Sequence, residues 1–260
     1  MNNNIWHPKQ KPISSLASLS GGAGGMMYIS SGGVGGEKSV FFGGDEWLKA
    51  SDSDLNIGTS SFTIEFWARF DNNAGNNSLN CVLETRSGGG TTSDGIMIAR
   101  WTTASPHVDR VSVYMNGFLI EESGTTSLNT WNHWAVVRNG TTLTLYKDGT
   151  NVASGTGYSN NWTNTTWFIG TLQNESASSE PTNEMRGYVS NFRFTKSAVY
   201  TSNFTAPTEP LSSLSDTKLF CCAQDSTSDS VTEVVGDSVS LTTSQGTTSE
   251  IPTVDNTSPF

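Results

Sequence analysis

Trp131-Asn132-His133-Trp134-Ala135-Val136-Val137-Arg138-Asn139-Gly140-Thr141-Thr142-Leu143-Thr144-Leu145-Tyr146-Lys147-Asp148-Gly149 is the stretch that decides the fold class. Two apolar-rich runs, 131–138 and 142–148, flank Asn139-Gly140, a dipeptide that supplies the left-handed backbone of a tight hairpin turn. A second such pair, Asp148-Gly149, closes the stretch. Upstream, Phe62, Ile64, Phe66, Ala68 and Phe70 alternate with Thr63, Glu65, Trp67 and Arg69. That period of two marks a strand with one face in a core. Working outward, further strands are expected at 38–42, 81–86, 95–101, 110–115, 117–121, 166–171, 185–196 and 217–222, with Asn116-Gly117 as another hairpin dipeptide. In 185–196 the apolar phase shifts between Val189 and Phe192, which predicts a bulge at Ser190-Asn191. No segment carries a helical period. The reading is all-β, two packed sheets forming a sandwich or jelly roll.

Composition agrees and narrows the function. Of 260 residues only 15% are charged, against about 25% in an average domain. Ser, Thr, Asn and Gly fill the gap and disfavour helix interiors. The net charge of −10, with 14 unclustered basic residues, argues against nucleic acid. No window approaches the apolar length of a membrane helix. The first thirty residues lack the hydrophobic run of a signal peptide, so synthesis in a cytosol without export by the common route is expected. Cys81, Cys221 and Cys222 form no C-x-x-C pattern and read as reduced core residues.

Three zones separate. Residues 1–36 form a Gly/Ser-rich arm that nonetheless carries Ile5, Trp6, Met26, Met27, Tyr28 and Ile29, expected to dock on a partner. Residues 37–223 are the globular body. Residues 224–260 form an acidic tail with six carboxylates and no Lys or Arg, with room for a short strand at 238–242.

Catalytic patterns are weak. The Gly-rich run before Lys38-Ser39 leads into a strand, so no helix N-terminus faces a phosphate there. Glycoside hydrolysis needs two carboxyls flanking the bond; Glu65 is alone in its strand, and Glu121-Glu122 sits at a strand end. His133 reads as a structural histidine among aromatics. Asp52–Gly58 fails as a calcium loop because Thr63 stands where a bidentate Glu is required. Asp45, Asp71 and Glu184, near strand ends, leave calcium open as a cofactor; no metal ligands are assigned. For binding, Tyr158 and Trp162 lie in the polar loop 155–166 and are candidates for stacking on sugar or protein, with loop packing as the other reading. Trp101 and Trp167, inside strand segments, are further candidates whose alternative is the core.

The hairpin 129–149, together with Ser61–Trp67 and Met185–Phe194, resembles laminin-G-like, concanavalin-A-like domains in the family's order. That resemblance implies a jelly roll that often binds carbohydrate or protein, with calcium in many members. Ala198-Val199-Tyr200-Thr201-Ser202-Asn203-Phe204-Thr205-Ala206-Pro207, followed by Thr217–Cys222, resembles laminin-G-like modules in virion proteins of marine tailed phages. It implies a non-enzymatic virion protein (decoration, fibre or adhesin) attached through its arm to other virion proteins or copies of itself. A lectin module for cell-surface glycans is the alternative, and a sandwich glycosidase the third reading.

Overall fold

The computed structural model describes residues 37–71, 78–87, 93–172, 183–224, 230–235, 239–245 and 251–260. The arm residues Ile5, Trp6, Met26, Met27, Tyr28 and Ile29 lie outside them. Two antiparallel sheets pack face to face. One runs β10 (Thr150–Gly155), β9 (Thr142–Lys147), β8 (Trp131–Asn139), β3 (Phe62–Phe70), β12 (Gly187–Thr195), β1 (Ser39–Phe42), β15 (Thr253–Asp255), with β13 (Thr217–Cys221) also on β12. The other runs β14 (Ser240–Gln245), β2 (Glu46–Ser51), β11 (Thr166–Ile169), β4 (Leu79–Glu84), β5 (Met97–Trp101), β6 (Val111–Tyr114), β7 (Phe118–Glu121). Among the described residues the only helical turn is a short 3-10 turn, Ser53–Leu55. The all-β sandwich read from strand alternation is the observed fold.

The alternation in β3 works as expected. Phe62, Ile64, Phe66, Ala68 and Phe70 are fully buried between the sheets, sharing one core with Trp134, Val136, Phe192 and Ile98. On the opposite face of β3, Thr63, Glu65 and Trp67 are buried as well, which one-sided alternation does not foretell, while Arg69 stays partly exposed. The segment after β12 crosses that side of the sheet, packing Ala198, Tyr200 and Phe204 on Ala135, Val137 and Tyr146. Phe260 stands edge-on to Trp67 at 5.7 Å.

The turn chemistry sets the registers. Asp148 (φ 49°) and Gly149 (φ 78°) both adopt positive φ, the type I′ geometry that matches strand twist, and they join Lys147 to Thr150. A Cβ on Gly149 would stand 2.0 Å from the Phe204 carbonyl oxygen, so the crossing segment also requires glycine there. The bulge falls where the phase shift puts it: pairing of β12 with β3 slips between Ser190 and Arg193, with Asn191 at φ 51°. Asn tolerates this region better than other side chains. Asn191 Nδ2 donates to Ser190 Oγ (2.9 Å) and its Oδ1 accepts from the Leu211 N–H (2.9 Å). The bulge divides one flank of β12 between β1, opposite Val189, and β13, opposite Phe192.

The tail set apart by its acidity supplies an edge strand to each sheet: β14 beside β2 and β15 beside β1. Val239 and Leu241 enter the core. All three cysteines are free and buried.

Candidate functional site

The polar loop 155–166 does not offer its aromatic rings. Trp162 is 1% exposed and joins the core, and its backbone pairs with Gly58. The cause is Arg138, a fully buried guanidinium at the end of β8. It donates to the carbonyls of Ser60 (3.0 and 2.7 Å), Asn160 (2.9 Å) and Gly58 (2.7 Å), tying two loops to the sandwich. The Trp162 ring covers it at 4.5 Å and the Phe62 ring at 5.2 Å. Burial pushes the Arg138 pKa down to about 10. Tyr158 is half-buried against the same core, and its hydroxyl donates to the Leu119 carbonyl at 2.5 Å. Trp167 is fully buried, tilted against Phe194 at 4.7 Å. Trp162 thus takes the loop-packing reading, Tyr158 takes it in part, and Trp167 takes its core alternative.

Trp101 is different. Ile96 and Ile98 face the core, so Met97, Ala99 and Trp101 point out of the sandwich. On that outer face Trp101 meets Phe118 at 5.1 Å and Tyr114 at 6.1 Å, and Phe118 meets Tyr114 edge-on at 5.4 Å. His107 lies flat on Phe118, 3.9 Å between centroids. Phe118 is 38% exposed, one of few large apolar side chains so open among the described residues. Trp101 Nε1 donates to Ser112 Oγ at 2.6 Å, which fixes the indole. Glu121 anchors the rim: its Oε2 meets His107 Nδ1 at 2.6 Å and its Oε1 accepts from Arg110 Nη1 at 3.1 Å. An apolar ring surface bordered by fixed, partly exposed hydrogen-bonding groups suits a ligand with one apolar and one hydroxylated face. Sequence reading singles out Trp101 but misses Tyr114, His107 and Phe118. The available signal for Tyr114 is its alternation with Val111 and Val113; Phe118 shares the sequence phase of Ile120 and reaches the outer face only through the register slip between β6 and β7.

The acids weighed for catalysis are held in place. Glu65 has no exposure. Its Oε1 accepts from Arg193 (Nε 3.0 Å, Nη2 2.5 Å), while Oε2 accepts from the Tyr200 hydroxyl at 2.8 Å and meets His133 Nε2 at 3.3 Å. Burial raises its pKa, but the His133 hydrogen bond and the Arg193 charge outweigh it and leave the carboxyl below its ordinary value. Tyr200 shifts upward, through burial first and then the Glu65 charge. Glu122 accepts from the Val111 N–H, Thr126 Oγ1 and Lys147 Nζ.

The three acids considered for calcium do not assemble. Asp71 stands 2.9 Å from Arg69 Nε, and burial raises its pKa against the lowering effect of Arg69. In the turn that holds Asp45, Arg186 donates to the Gly43 carbonyl at 2.8 Å. Glu184 is buried, 3% exposed. Among the described residues no three His, Cys, Asp or Glu side chains gather for a metal. With guanidiniums beside Asp71 and the Asp45 turn, this set does not fit calcium.

The family model described as the concanavalin A-like lectin/glucanases superfamily, of laminin G type, matches residues 42–202. A putative carbohydrate binding protein from Bacteroides ovatus superposes with TM-score 0.56 at 14% identity, over 86% of this chain and 60% of that one. The chain therefore spans less than two thirds of that protein's length. A heptameric SAP-like pentraxin from Limulus polyphemus gives TM-score 0.48 at 12% identity, over 69% of this chain and 92% of that one. Domains LG4-5 of the mouse laminin alpha1 chain give 0.44 at 16%, over 66% and 47%. No curated protein matches the sequence. With more than half its length matched by the family model and its sheets arranged as a sandwich, the chain belongs to the laminin G type of the concanavalin A-like lectin/glucanases superfamily.

Proposed function

We propose that this chain is a non-enzymatic carbohydrate-binding jelly roll, carried on a tailed-phage particle through residues 1–36 and contacting cell-surface glycan through the Trp101 cluster. The observation that carries the binding reading is the outward group of Trp101, Tyr114 and Phe118 bordered by His107, Arg110 and Glu121. The similarity of the Bacteroides ovatus protein, whose name denotes carbohydrate binding, is consistent with it. The virion setting is supported by the sequence resemblance of 198–222, with other virion proteins or further copies of the chain as partners. Absence of catalysis is supported by Glu65, the strand-centre acid, being sealed by Arg193, His133 and Tyr200 rather than opposed across a cleft to a second carboxyl.

The test is a glycan array with the full chain beside Trp101→Ala/Phe118→Ala. The double variant should lose at least tenfold in binding and keep its melting temperature within a few degrees. Equal binding by both proteins refutes the site. Turnover of β-glucan or agar that Glu65→Gln abolishes refutes the non-enzymatic reading. Antibody labelling of particles from the producing phage, with no signal, refutes the virion setting.

A further inference from the structure

A second row of aromatic residues lies on the opposite outer face of the sandwich. Three registers place it there: Phe41 of β1 stands opposite Tyr188 of β12, Tyr188 opposite Arg69 of β3, and Arg69 opposite Trp131 of β8. Val40, Phe42, Val189, Ala68 and Phe70 point into the core, so the members of the row point out. Each is only partly buried. At about 4.8 Å per strand the row extends about 14 Å from Phe41 to Trp131, long enough to run beneath several sugar rings. Phe41 and Tyr188 are 5.0 Å apart at 49°, and Tyr188 and Trp131 are 6.1 Å apart at 55°. The Arg69 guanidinium lies over one face of the Tyr188 ring, 5.0 Å from its centre, and holds that ring in place.

The neighbouring position along these strands is closed. Trp67 is covered by Phe260 and His133 by Tyr200 and Phe204. The Phe41–Trp131 row lies beside that covered ground with its members partly exposed, and the Tyr188 hydroxyl is hydrogen-bonded to Thr257. Its polar surroundings are carboxylates: Asp71 next to Arg69, and Asp255 close enough that both charges act on the Tyr188 hydroxyl. Trp131 Nε1 is itself buried, with no hydrogen-bond acceptor among the described residues, so the indole offers the row its ring and not its N–H.

We propose that this row is a second ligand-binding face that holds a single neutral, linear polysaccharide chain. Several aromatic rings in a line match a repeating ligand better than a terminal sugar. Their mutual tilt matches one twisted chain and not the flat face of a crystalline polymer. Two carboxylates around one guanidinium favour hydroxyl-rich over sulfated or uronate polymers. The inference goes beyond the Trp101 site and does not require it, because the two groups lie on opposite faces.

The experiment measures affinity of the full chain for laminarin, lichenan and glucomannan, with alginate as the polyanionic probe and insoluble cellulose as the crystalline one. Tyr188→Leu/Trp131→Leu keeps an apolar side chain at each position and removes the flat rings. It should weaken binding to at least one neutral soluble polymer tenfold or more, with the melting temperature within a few degrees of the parent, while Leu214→Ala, at an exposed position outside both ring groups, stays within twofold; Trp101→Ala/Phe118→Ala is measured beside them. Affinity should rise with oligosaccharide length. If the leucine double variant unfolds, Tyr188→Leu alone is measured, and a folded single variant that binds every polymer as the parent does overturns the proposal. No binding to any neutral polymer, a preference for alginate or cellulose, or loss only in the Trp101 variant also overturns it. That last result leaves the Trp101 reading standing, and loss in the leucine variant alone leaves this one standing.

Discussion

Replacing Trp162 tests whether loop 155–166 is part of the core or part of a binding surface. Trp162→Ala removes a side chain that is 1% exposed. Truncating a buried Trp to Ala costs about 3–5 kcal/mol in transfer and cavity terms. The ring also lies 4.5 Å from the Arg138 guanidinium, a cation–π contact worth about 0.5–2 kcal/mol. The expected loss is therefore about 3.5–7 kcal/mol, which in a domain of this size lowers the melting temperature by about 7–28 °C. Trp162→Phe, which keeps an apolar ring beside Arg138, should cost clearly less. Thermal melts followed by circular dichroism, with urea titrations for the free energies, give both values. Combining Trp162→Ala with Arg138→Met should show a coupling of about 0.5–3 kcal/mol, since the two side chains touch. A Trp162→Ala protein melting within about 3 °C of the parent would mean that the ring is not packed, and the account of the Arg138 latch would fail.

Glu65→Gln leaves Arg193 without its carboxylate and should cost about 3–5 kcal/mol at neutral pH. Because the folded pKa of Glu65 lies below the ordinary 4.5, its contribution is complete above that value and lost as pH falls through the folded pKa. Melts between pH 7 and pH 3 should show the parent and the variant converging toward acid, and a constant gap would count against the ion pair. Gly149→Ala should destabilise by more than the roughly 1–2 kcal/mol cost of left-handed backbone, because the new methyl meets the Phe204 carbonyl; a melt unchanged from the parent would contradict that contact. The three buried thiols should resist a disulfide reagent in the native protein and all react in denaturant, and rapid native labelling would show that one of them is exposed.

Much of the sandwich is legible because its central strands alternate cleanly and its turns carry Asn-Gly and Asp-Gly. The bulge is legible because a strand whose apolar phase slips midway must accommodate an extra residue there. Three strands escape the sequence reading: β2, β10 and β15. Lys49 and Asn151 sit on such strands with polar side chains outward, and what defines these strands is a backbone partner elsewhere in the chain. Trp162 misleads for a related reason. A polar neighbourhood in sequence says nothing of Arg138, whose carbonyl partners pull loop 155–166 inward. The Trp101 group is half legible. A tryptophan in a strand is visible, but the company of Tyr114 and Phe118 depends on the pairing of β5 with β6 and of β6 with β7.

The edge strands carry a consequence for how the chain acquires this structure. Ser39 is hydrogen-bonded to Thr257, 218 positions away, and Lys49 to Thr242, 193 positions away. The first strand of each sheet must therefore wait for nearly the whole domain before its outer neighbour exists. Loop closure over such spans is costly before any contact offsets it, so folding on the slow side, roughly milliseconds to seconds or longer, is expected. In the interval β1 and β2 present unpaired edges, open to the same edges of other nascent or refolding copies. Refolding yield should then fall with protein concentration well before native stability becomes limiting, and a separately added peptide with the β14 sequence should compete for the β2 edge during refolding but not after it.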